Sequence, residues 1–361
     1  MPQTAAETMA AYRIMEWGAA PELTEAPVPE PGPGQVRVKV AGNGLCHSDI
    51  SMAAMPGEIG EALGWRLPFT LGHEVGGWIH ALGPGVDGFA EGDAVALVSP
   101  HSCGVCGFCV RGQDSACPHG LAGRGYGRDG GLATYVLADA PRDLVRLESL
   151  DPVVAGPLMD AGATSYHAVR RVLPRLVPGS TAVVIGVGGL GGFAVQLLRA
   201  LTPAEVIAVD PNPGRLAVAT ELGAHRVIAG VDGTDSAAGS VATAAALRDA
   251  TGGEGAHAVL DFVGVDDTIA TGVASVRSFG ALALVGAGGG TFARPWFGGL
   301  PRDAEIFTFQ GSSIADAHEV VRLAEAGLIR SEVDLFPLAD VAAAYQRLDR
   351  GELRGRAVVT P

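Results

Sequence analysis

The sequence predicts an α/β protein of two domains, one a doubly wound parallel sheet and the other mainly β. Three observations carry this expectation. At 361 residues the chain exceeds the size at which one hydrophobic core keeps growing. From about residue 163 onward, apolar strand-like runs alternate with helical periodicity. Before that point, short runs of β-formers are broken by Gly, Pro and Asp in an irregular rhythm.

In chain order, residues 12–17 and 35–42 (QVRVKVAG) read as strands separated by the Pro-rich turn APVPEPGPG. Further strands are expected at 75–81, 93–98 and 133–138, with few helices among them. TSYHAVRRVL then reads as a helix leading into the strand STAVVIG, a glycine loop, the helix FAVQLLRAL and the strand EVIAVD. The alternation recurs as GRLAVATELGA, HRVIA, ATAAALRDATG, AVLDFVG, TIATGVASVRSFG and ALALVGAG, so residues 163–312 are expected to form the doubly wound sheet. Residues 313–361, with helical DAHEVVRLAEAG and strand-like RAVVTP, are expected to rejoin residues 1–162.

Composition narrows the function classes. A chain 48% hydrophobic and 18% charged is too apolar for disorder. Twenty-five Lys and Arg against 39 Asp and Glu leave a formal charge of −14, which repels phosphate backbones and anionic lipid heads and argues against nucleic acid as a partner. The N-terminus lacks a basic start followed by an apolar run, and no stretch reaches about 18 apolar residues. A soluble, cytoplasmic protein is expected. Five cysteines, four of them between 103 and 117, suit metal binding in a reducing compartment better than disulfides.

Gly186, Gly188 and Gly191 form G-x-G-x-x-G between an apolar strand and a helix. The first glycine permits a tight turn, the second lets backbone approach a pyrophosphate, and the third lets helix and strand pack closely, with the helix N-terminus facing the anion. Gly189 and Gly192 add room. Asp210 ends the next strand, where a carboxylate accepts from the adenosine ribose hydroxyls and repels a 2′-phosphate, so NAD is expected rather than NADP. Arg215 follows, placed to cover the adenine or to meet a 2′-phosphate.

Cys103, Cys106, Cys109 and Cys117 sit at gaps that let four thiolates converge on one ion, within a lobe spanning about 100–120. The competing iron–sulfur reading is disfavoured by the long last gap and the lack of a second set. A closed four-thiolate shell implies a structural zinc. The fifth cysteine, Cys46, opens CHSD, and His73 and Glu74 follow in LGHEVGG, offering soft, borderline and hard ligands.

Through CHSD, GHEVGG, the four-cysteine lobe, GVGGLG with Asp210 and the terminal GRAVVTP, the sequence resembles the zinc-containing alcohol dehydrogenases of the medium-chain dehydrogenase/reductase family over nearly its whole length. The resemblance implies a Rossmann NAD-binding domain and a GroES-like catalytic domain. It implies Cys46 and His73 as ligands of a catalytic zinc, with the third at Asp160, where many relatives carry cysteine and a branch of bacterial secondary-alcohol dehydrogenases carries aspartate. One thiolate, one neutral imidazole and one carboxylate balance the charge of zinc and leave a position open for substrate. An N-cap role is the alternative for Asp160. Glu74 is either a transient fourth ligand or an outer acid. Asp49 is expected to hold His73 through its other ring N–H. Ser48 is expected to pass a proton from the reacting oxygen. Ser51 stands where relatives carry the outer histidine of that relay, so His47 or water is left for the outer step; His47 has cofactor pyrophosphate as its other candidate contact. Leu190, Val263, Val285 and Arg356 are implied as further cofactor contacts.

Trp65, Phe69, Trp296 and Phe297 are candidates for an apolar substrate wall, with plain packing as the alternative. A wall of this kind favours medium-sized or aromatic secondary alcohols and ketones. The resemblance also implies a homodimer or homotetramer paired through the strand in 305–311. The expected activity is hydride transfer between NAD(H) and an alcohol/carbonyl pair. Its rivals are an NADPH-dependent aldehyde, enone or imine reductase of the same fold, and a non-catalytic nucleotide-sensing protein.

Overall fold

The computed structural model describes residues 7–230 and 236–361. The chain forms two compact units. One runs through Ala163 and takes in Gly311–Gly327 and Ser331–Pro361; the other comprises Thr164–Gln310 with Leu328–Arg330. The return of Leu328–Arg330 to the second unit has a local cause. The buried Gln196 side chain donates to the Arg330 carbonyl at 3.1 Å and accepts from the Arg330 N–H at 2.9 Å.

The first unit is built on a sheet ordered Leu144–Arg146, Ala94–Leu97, Glu74–Leu82, Val36–Gly44, Arg356–Thr360, Val333–Pro337, with Tyr135–Ala138 also paired to Val36–Gly44. Alternation in Val36–Gly44 turns Val36, Val38 and Val40 onto Val75, Ile79, Val95, Leu97 and Val136, forming one core. A second core joins Tyr12, Ile14, Leu45, Trp65, Phe69 and Leu132 to Ala344, Leu348 and Val359 from the end of the chain. Gly44 pairs with Val358 on one side and Glu74 on the other. A Cβ at Gly44 would collide with the Glu74 carboxylate, so glycine is needed where these three strands meet.

Two short helices interrupt the strands of this unit, His47–Ala53 and Gly57–Ala62. The first is set by its own start. Cys46 is the N-cap, and the Asp49 side chain reaches back to accept the Cys46 N–H at 2.9 Å.

The second unit is a six-stranded parallel sheet ordered Arg226–Ala229, Glu205–Asp210, Thr181–Ile185, Ala256–Asp261, Val276–Leu284, Glu305–Thr308. Thr181–Ile185 is buried at every position, as a central parallel strand covered on both faces must be. The structure departs from the sequence reading at TIATGVASVRSFG. The helix Asp266–Ser275 stops before β-branched Val276, which pairs with Ala256 and begins the next strand. The register shift that follows is taken up around Phe279, which sits at φ 61°. Among the described residues, no helix is long and apolar enough to cross a membrane.

Candidate functional site

Three separate pieces of the first unit supply one cluster. Cys46 caps the helix His47–Ala53, His73 immediately precedes the strand Glu74–Leu82, and Asp160 lies between the turn Gly156–Met159 and the helix Ala161–Val172. One ligand atom from each of Cys46, His73, Glu74 and Asp160 falls within 4.8 Å of the others. His73 is fully buried; its Nδ1 is 3.2 Å from Asp49 Oδ1 and its Nε2 is 3.7 Å from Asp160 Oδ2. His73 Nε2 has no hydrogen-bond partner among the described residues.

A buried ring nitrogen left without a partner, beside a thiol and a carboxylate, is a donor set suited to a divalent cation. Electrostatics agree. Burial pushes the Cys46 thiol up, but Arg356 and His73 outweigh it and leave it below the ordinary thiol value. Burial alone would lower His73; Tyr126, Asp49 and Asp160 hold it well above the ordinary histidine value, the response of a ring surrounded by groups that favour positive charge. Asp160 is driven well below the ordinary carboxylate range because, although burial opposes its charge, His73 and Arg356 stabilise it. Its contacts are with His73 and Arg356, which places it in the cluster rather than in an N-cap role.

Arg356, implied as a cofactor contact by the resemblance, is buried beside this cluster. Its Nε donates to Glu74 Oε2 at 3.0 Å, its Nη2 donates to Glu74 Oε1, and Nη2 also reaches Asp160 Oδ2 at 3.4 Å. Both Glu74 oxygens therefore face the guanidinium, while one of them also lies within reach of the other three candidate ligands. Burial works against the Arg356 charge, but Glu74, Cys46 and Asp160 hold its pKa well above the ordinary arginine value.

Ser48 Oγ is buried without a hydrogen-bond partner among the described residues. His47 is exposed, and the neighbouring Ser51 hydroxyl donates to the His47 carbonyl at 3.4 Å. Tyr126 escaped the sequence reading: its ring centroid lies 4.4 Å from that of His73, and it sits beside Ser48. Nothing in the spacing of GRGYGRDGG points to a metal ligand 53 residues earlier, so no sequence signal marked it.

The lobe holds the four remaining cysteines. Sulfur separations are 3.5 Å for Cys106–Cys109 and 3.9 Å for both Cys103–Cys109 and Cys106–Cys117. Thiolates about 2.3 Å from a tetrahedral ion stand about 3.8 Å apart, so this geometry fits one zinc, whereas a multi-iron cluster holds its thiolates more widely. Backbone N–H groups of Val105 and Cys106 lower the Cys103 thiol to about 6, and burial raises Cys109 to about 11. Asp114 ties the lobe down: it accepts from Arg142 Nη2 at 2.8 Å, from Ser102 Oγ at 3.2 Å and from the Ile314 N–H at 3.3 Å. Replacing Cys103 with Ser is expected to remove one equivalent of metal and lower Tm by about 10 °C while sparing most turnover, since a structural ion contributes directly to folding. Metal analysis and differential scanning fluorimetry check this.

In the second unit the glycine loop joins Thr181–Ile185 to the helix Gly189–Leu201. Gly186 turns at φ 82°, and a Cβ on Gly191 would collide with the Gly186 carbonyl. At Gly188 a Cβ would meet nothing within 4 Å, which leaves open space at the helix start. The helix has no side-chain cap, so its first N–H groups are available to an anion. Asp210 is 1% exposed; it accepts from the Val187 N–H at 2.8 Å and from the Asn212 N–H at 2.9 Å, with Arg215 Nη1 3.8 Å away. It braces the loop, and each carboxylate oxygen retains a further lone pair. Leu190 and Val263 are half-buried on or beside this loop, where a Cβ on Gly186 would meet Val263; half-buried Val285 follows the strand Val276–Leu284 and donates its N–H to the Asp261 carbonyl at 2.9 Å.

The aromatic wall expected from sequence is not found as such. Trp65 and Phe69 are core residues packed edge to face at 5.7 Å, and Trp65 Nε1 donates to the Leu121 carbonyl at 2.7 Å. Trp296 and Phe297 are 79% and 81% exposed and pack on each other at 5.5 Å, so they wall no pocket among the described residues. The indole N–H and the ring face of Trp65 are both satisfied internally, which is why it turns inward.

Comparison with known proteins places this geometry. Residues 32–149 match the family model described as alcohol dehydrogenase GroES-like domain, and residues 189–326 match zinc-binding dehydrogenase. An NAD-dependent alcohol dehydrogenase of Sulfurisphaera tokodaii is 34% identical over 98% of this chain and 100% of its own length. The crystal structure of the alcohol dehydrogenase from Aeropyrum pernix superposes with a TM-score of 0.88 at 33% identity, covering 98% of this chain and 100% of that one. The structure of acetophenone reductase from Geotrichum candidum, in complex with NAD, superposes with a TM-score of 0.84 at 27% identity, covering 99% of each chain.

Proposed function

Because the chain belongs to the zinc-containing alcohol dehydrogenases of the medium-chain dehydrogenase/reductase family, we propose that Cys46, His73 and Asp160 hold a catalytic zinc and that the four lobe cysteines hold a structural one. The protein is an NAD(H)-linked oxidoreductase acting on an alcohol/carbonyl pair of small-molecule size. The observation that carries the site assignment is the convergence of a half-buried thiol, a buried imidazole without hydrogen-bond partners among the described residues and a half-buried carboxylate.

Bound there, zinc supplies Lewis acidity toward an alcohol or carbonyl oxygen, and NAD(H) supplies the hydride acceptor or donor. The chain supplies the rest. Asp49 Oδ1, 3.2 Å from His73 Nδ1, is placed to orient the ring and direct Nε2 inward. The Ser48 hydroxyl, buried and without a partner of its own, takes up the alcohol proton at Oγ as it releases its own, and reverses this for carbonyl reduction. His47, exposed beside it, carries the outer proton step in place of the residue relatives use at Ser51. Gly186, Gly188, Gly189, Leu190 and Gly191 bind the pyrophosphate through backbone at the uncapped helix start, with Val263 beside the loop and Val285 after the strand Val276–Leu284. Asp210 directs its free lone pairs to the adenosine ribose and disfavours a 2′-phosphate, and Arg215 lies over the adenine.

Similarity to an acetophenone reductase supports aryl ketones and secondary aryl alcohols as substrates. A homo-oligomer is proposed as well: Glu305–Thr308 is an open sheet edge, and Trp296 with Phe297 forms an exposed aromatic pair in the same unit. Light scattering reads its mass.

The decisive experiment follows absorbance at 340 nm across a panel of alcohols and ketones with each cofactor. NADH is expected to outperform NADPH at least about tenfold in kcat/KM, as a carboxylate at the ribose requires. A tenfold preference for NADPH would remove the role of Asp210 and favour the biosynthetic-reductase reading. Absence of turnover with full metal loading would favour a non-catalytic protein.

A further inference from the structure

Asp49 sits at the junction of two proposed ligands. Its Oδ2 accepts the Cys46 N–H at 2.9 Å and its Oδ1 lies 3.2 Å from His73 Nδ1, with Asp49 1% and His73 0% exposed. A carboxylate has about four lone pairs, and in dry surroundings an unmatched one is costly. Oδ1 is buried with no hydrogen-bond partner among the described residues, and so is the hydroxyl of Tyr345. Both orphaned atoms lie on helices that pack against each other, and Asp49 is the acidic group whose charge acts on the Tyr345 hydroxyl.

Tyr345 belongs to the helix Val341–Asp349 near the end of the chain, which packs against the helix His47–Ala53 that Cys46 caps. Its ring stacks on Tyr12 at 5.9 Å and 22°, and it packs into the core containing Met52 and Leu348. Burial, reinforced by Asp49, holds the phenol well above its ordinary pKa, so it remains a donor. The ring is fixed by packing, and its one polar atom has nothing else to serve among the described residues.

We propose that Tyr345 is a positioning residue of the metal centre, its hydroxyl donating to Asp49 and thereby fixing the carboxylate that orients His73 and holds the Cys46 backbone. The inference rests on reading Cys46, His73 and Asp160 as the catalytic metal site. The helix Val341–Asp349 thus does more than cover the core: it fastens the metal site from a point about 300 residues along the chain. Outer partners of metal-bound histidines typically govern about 10- to 100-fold in metal affinity or activity.

The test uses the full protein with the lobe metal in place. Co²⁺ is titrated into protein stripped at the Cys46 site, thiolate-to-cobalt absorption reports binding, and zinc release to a chelator is timed. Tyr345→Phe keeps the ring on Tyr12 and is expected to weaken Co²⁺ binding and speed zinc release about tenfold, with the lobe metal and Tm near wild type. In an Asp49→Asn background the same substitution should have no further effect, because the hydroxyl acts through that carboxylate. Tyr12→Leu, which removes the stack alone, should lower Tm without changing metal release.

Unchanged metal binding in Tyr345→Phe overturns the proposal. So does an equal loss in the Asp49→Asn background, or metal release in Tyr12→Leu as fast as in Tyr345→Phe, which would reduce Tyr345 to packing. If wild-type protein takes no Co²⁺ at Cys46, the metal-site reading itself fails, an outcome distinct from a wild-type site that Tyr345→Phe leaves untouched.

Discussion

Cys46→Ser is expected to lower kcat/KM by at least about a thousandfold, because Lewis-acid stabilisation of the reacting oxygen is worth several kcal/mol and a serine hydroxyl does not replace a thiolate as a zinc ligand. The fold should survive. Cys46 caps a seven-residue helix through its backbone N–H, which Asp49 accepts, and that bond does not need sulfur. The lobe cysteines and the glycine loop lie elsewhere in the chain, so one equivalent of metal and NAD affinity within about threefold of wild type should remain. Metal analysis, circular dichroism and quenching of NADH fluorescence check the three parts separately. A variant that unfolds as far as Cys103→Ser would contradict the division into one open and one closed metal site.

Arg356→Met is expected to cost about 3–5 kcal/mol, lowering Tm by about 10 °C. The guanidinium is 4% exposed and faces two carboxylates, Glu74 in bidentate fashion and Asp160 at 3.4 Å. Removing it strands the fully buried Glu74 carboxylate without its cation. The companion variant distinguishes charge from shape. Adding Glu74→Leu to Arg356→Met removes the stranded carboxylate and should recover most of the lost Tm, because a buried pair replaced on both sides by apolar groups is often near neutral. If the double variant is no more stable than the single one, the pair is held for packing and not for charge.

Much of the fold was legible before any coordinates. The strands and helices of the second unit follow one another within a few residues, and each carries its own periodicity, so the alternation from residue 164 onward reads directly. The helices His47–Ala53 and Gly57–Ala62 were not legible, being too short to show a period. TIATGVASVRSFG was misread for the opposite reason: its apolar spacing continues past Ser275, and only pairing of Val276 with Ala256 ends the helix there.

The candidate site divides along the same line. Cys103, Cys106, Cys109 and Cys117 lie within 15 residues, and Gly186, Gly188 and Gly191 within six, so their spacing states their geometry. Trp65 and Trp296 show the limit: sequence offered both as candidates for one wall, with packing as the alternative, and one is in the core while the other faces solvent.

By itself, the sequence determined the four-cysteine lobe and the nucleotide loop with its acid, because each is a local cluster or a motif whose spacing is its shape, whereas Cys46, His73 and Asp160 lie far apart in the chain and were named only through family resemblance. Only the tertiary structure decided that Arg356 serves Glu74 across 282 residues of chain, that Tyr126 lies on His73 and that the helix carrying Tyr345 packs on the helix carrying Asp49. Neighbours brought together by strand pairing and helix packing are separated by arbitrary lengths of chain. Their contact energies depend on distance in space, and distance in space leaves no period in a sequence for a reader to find.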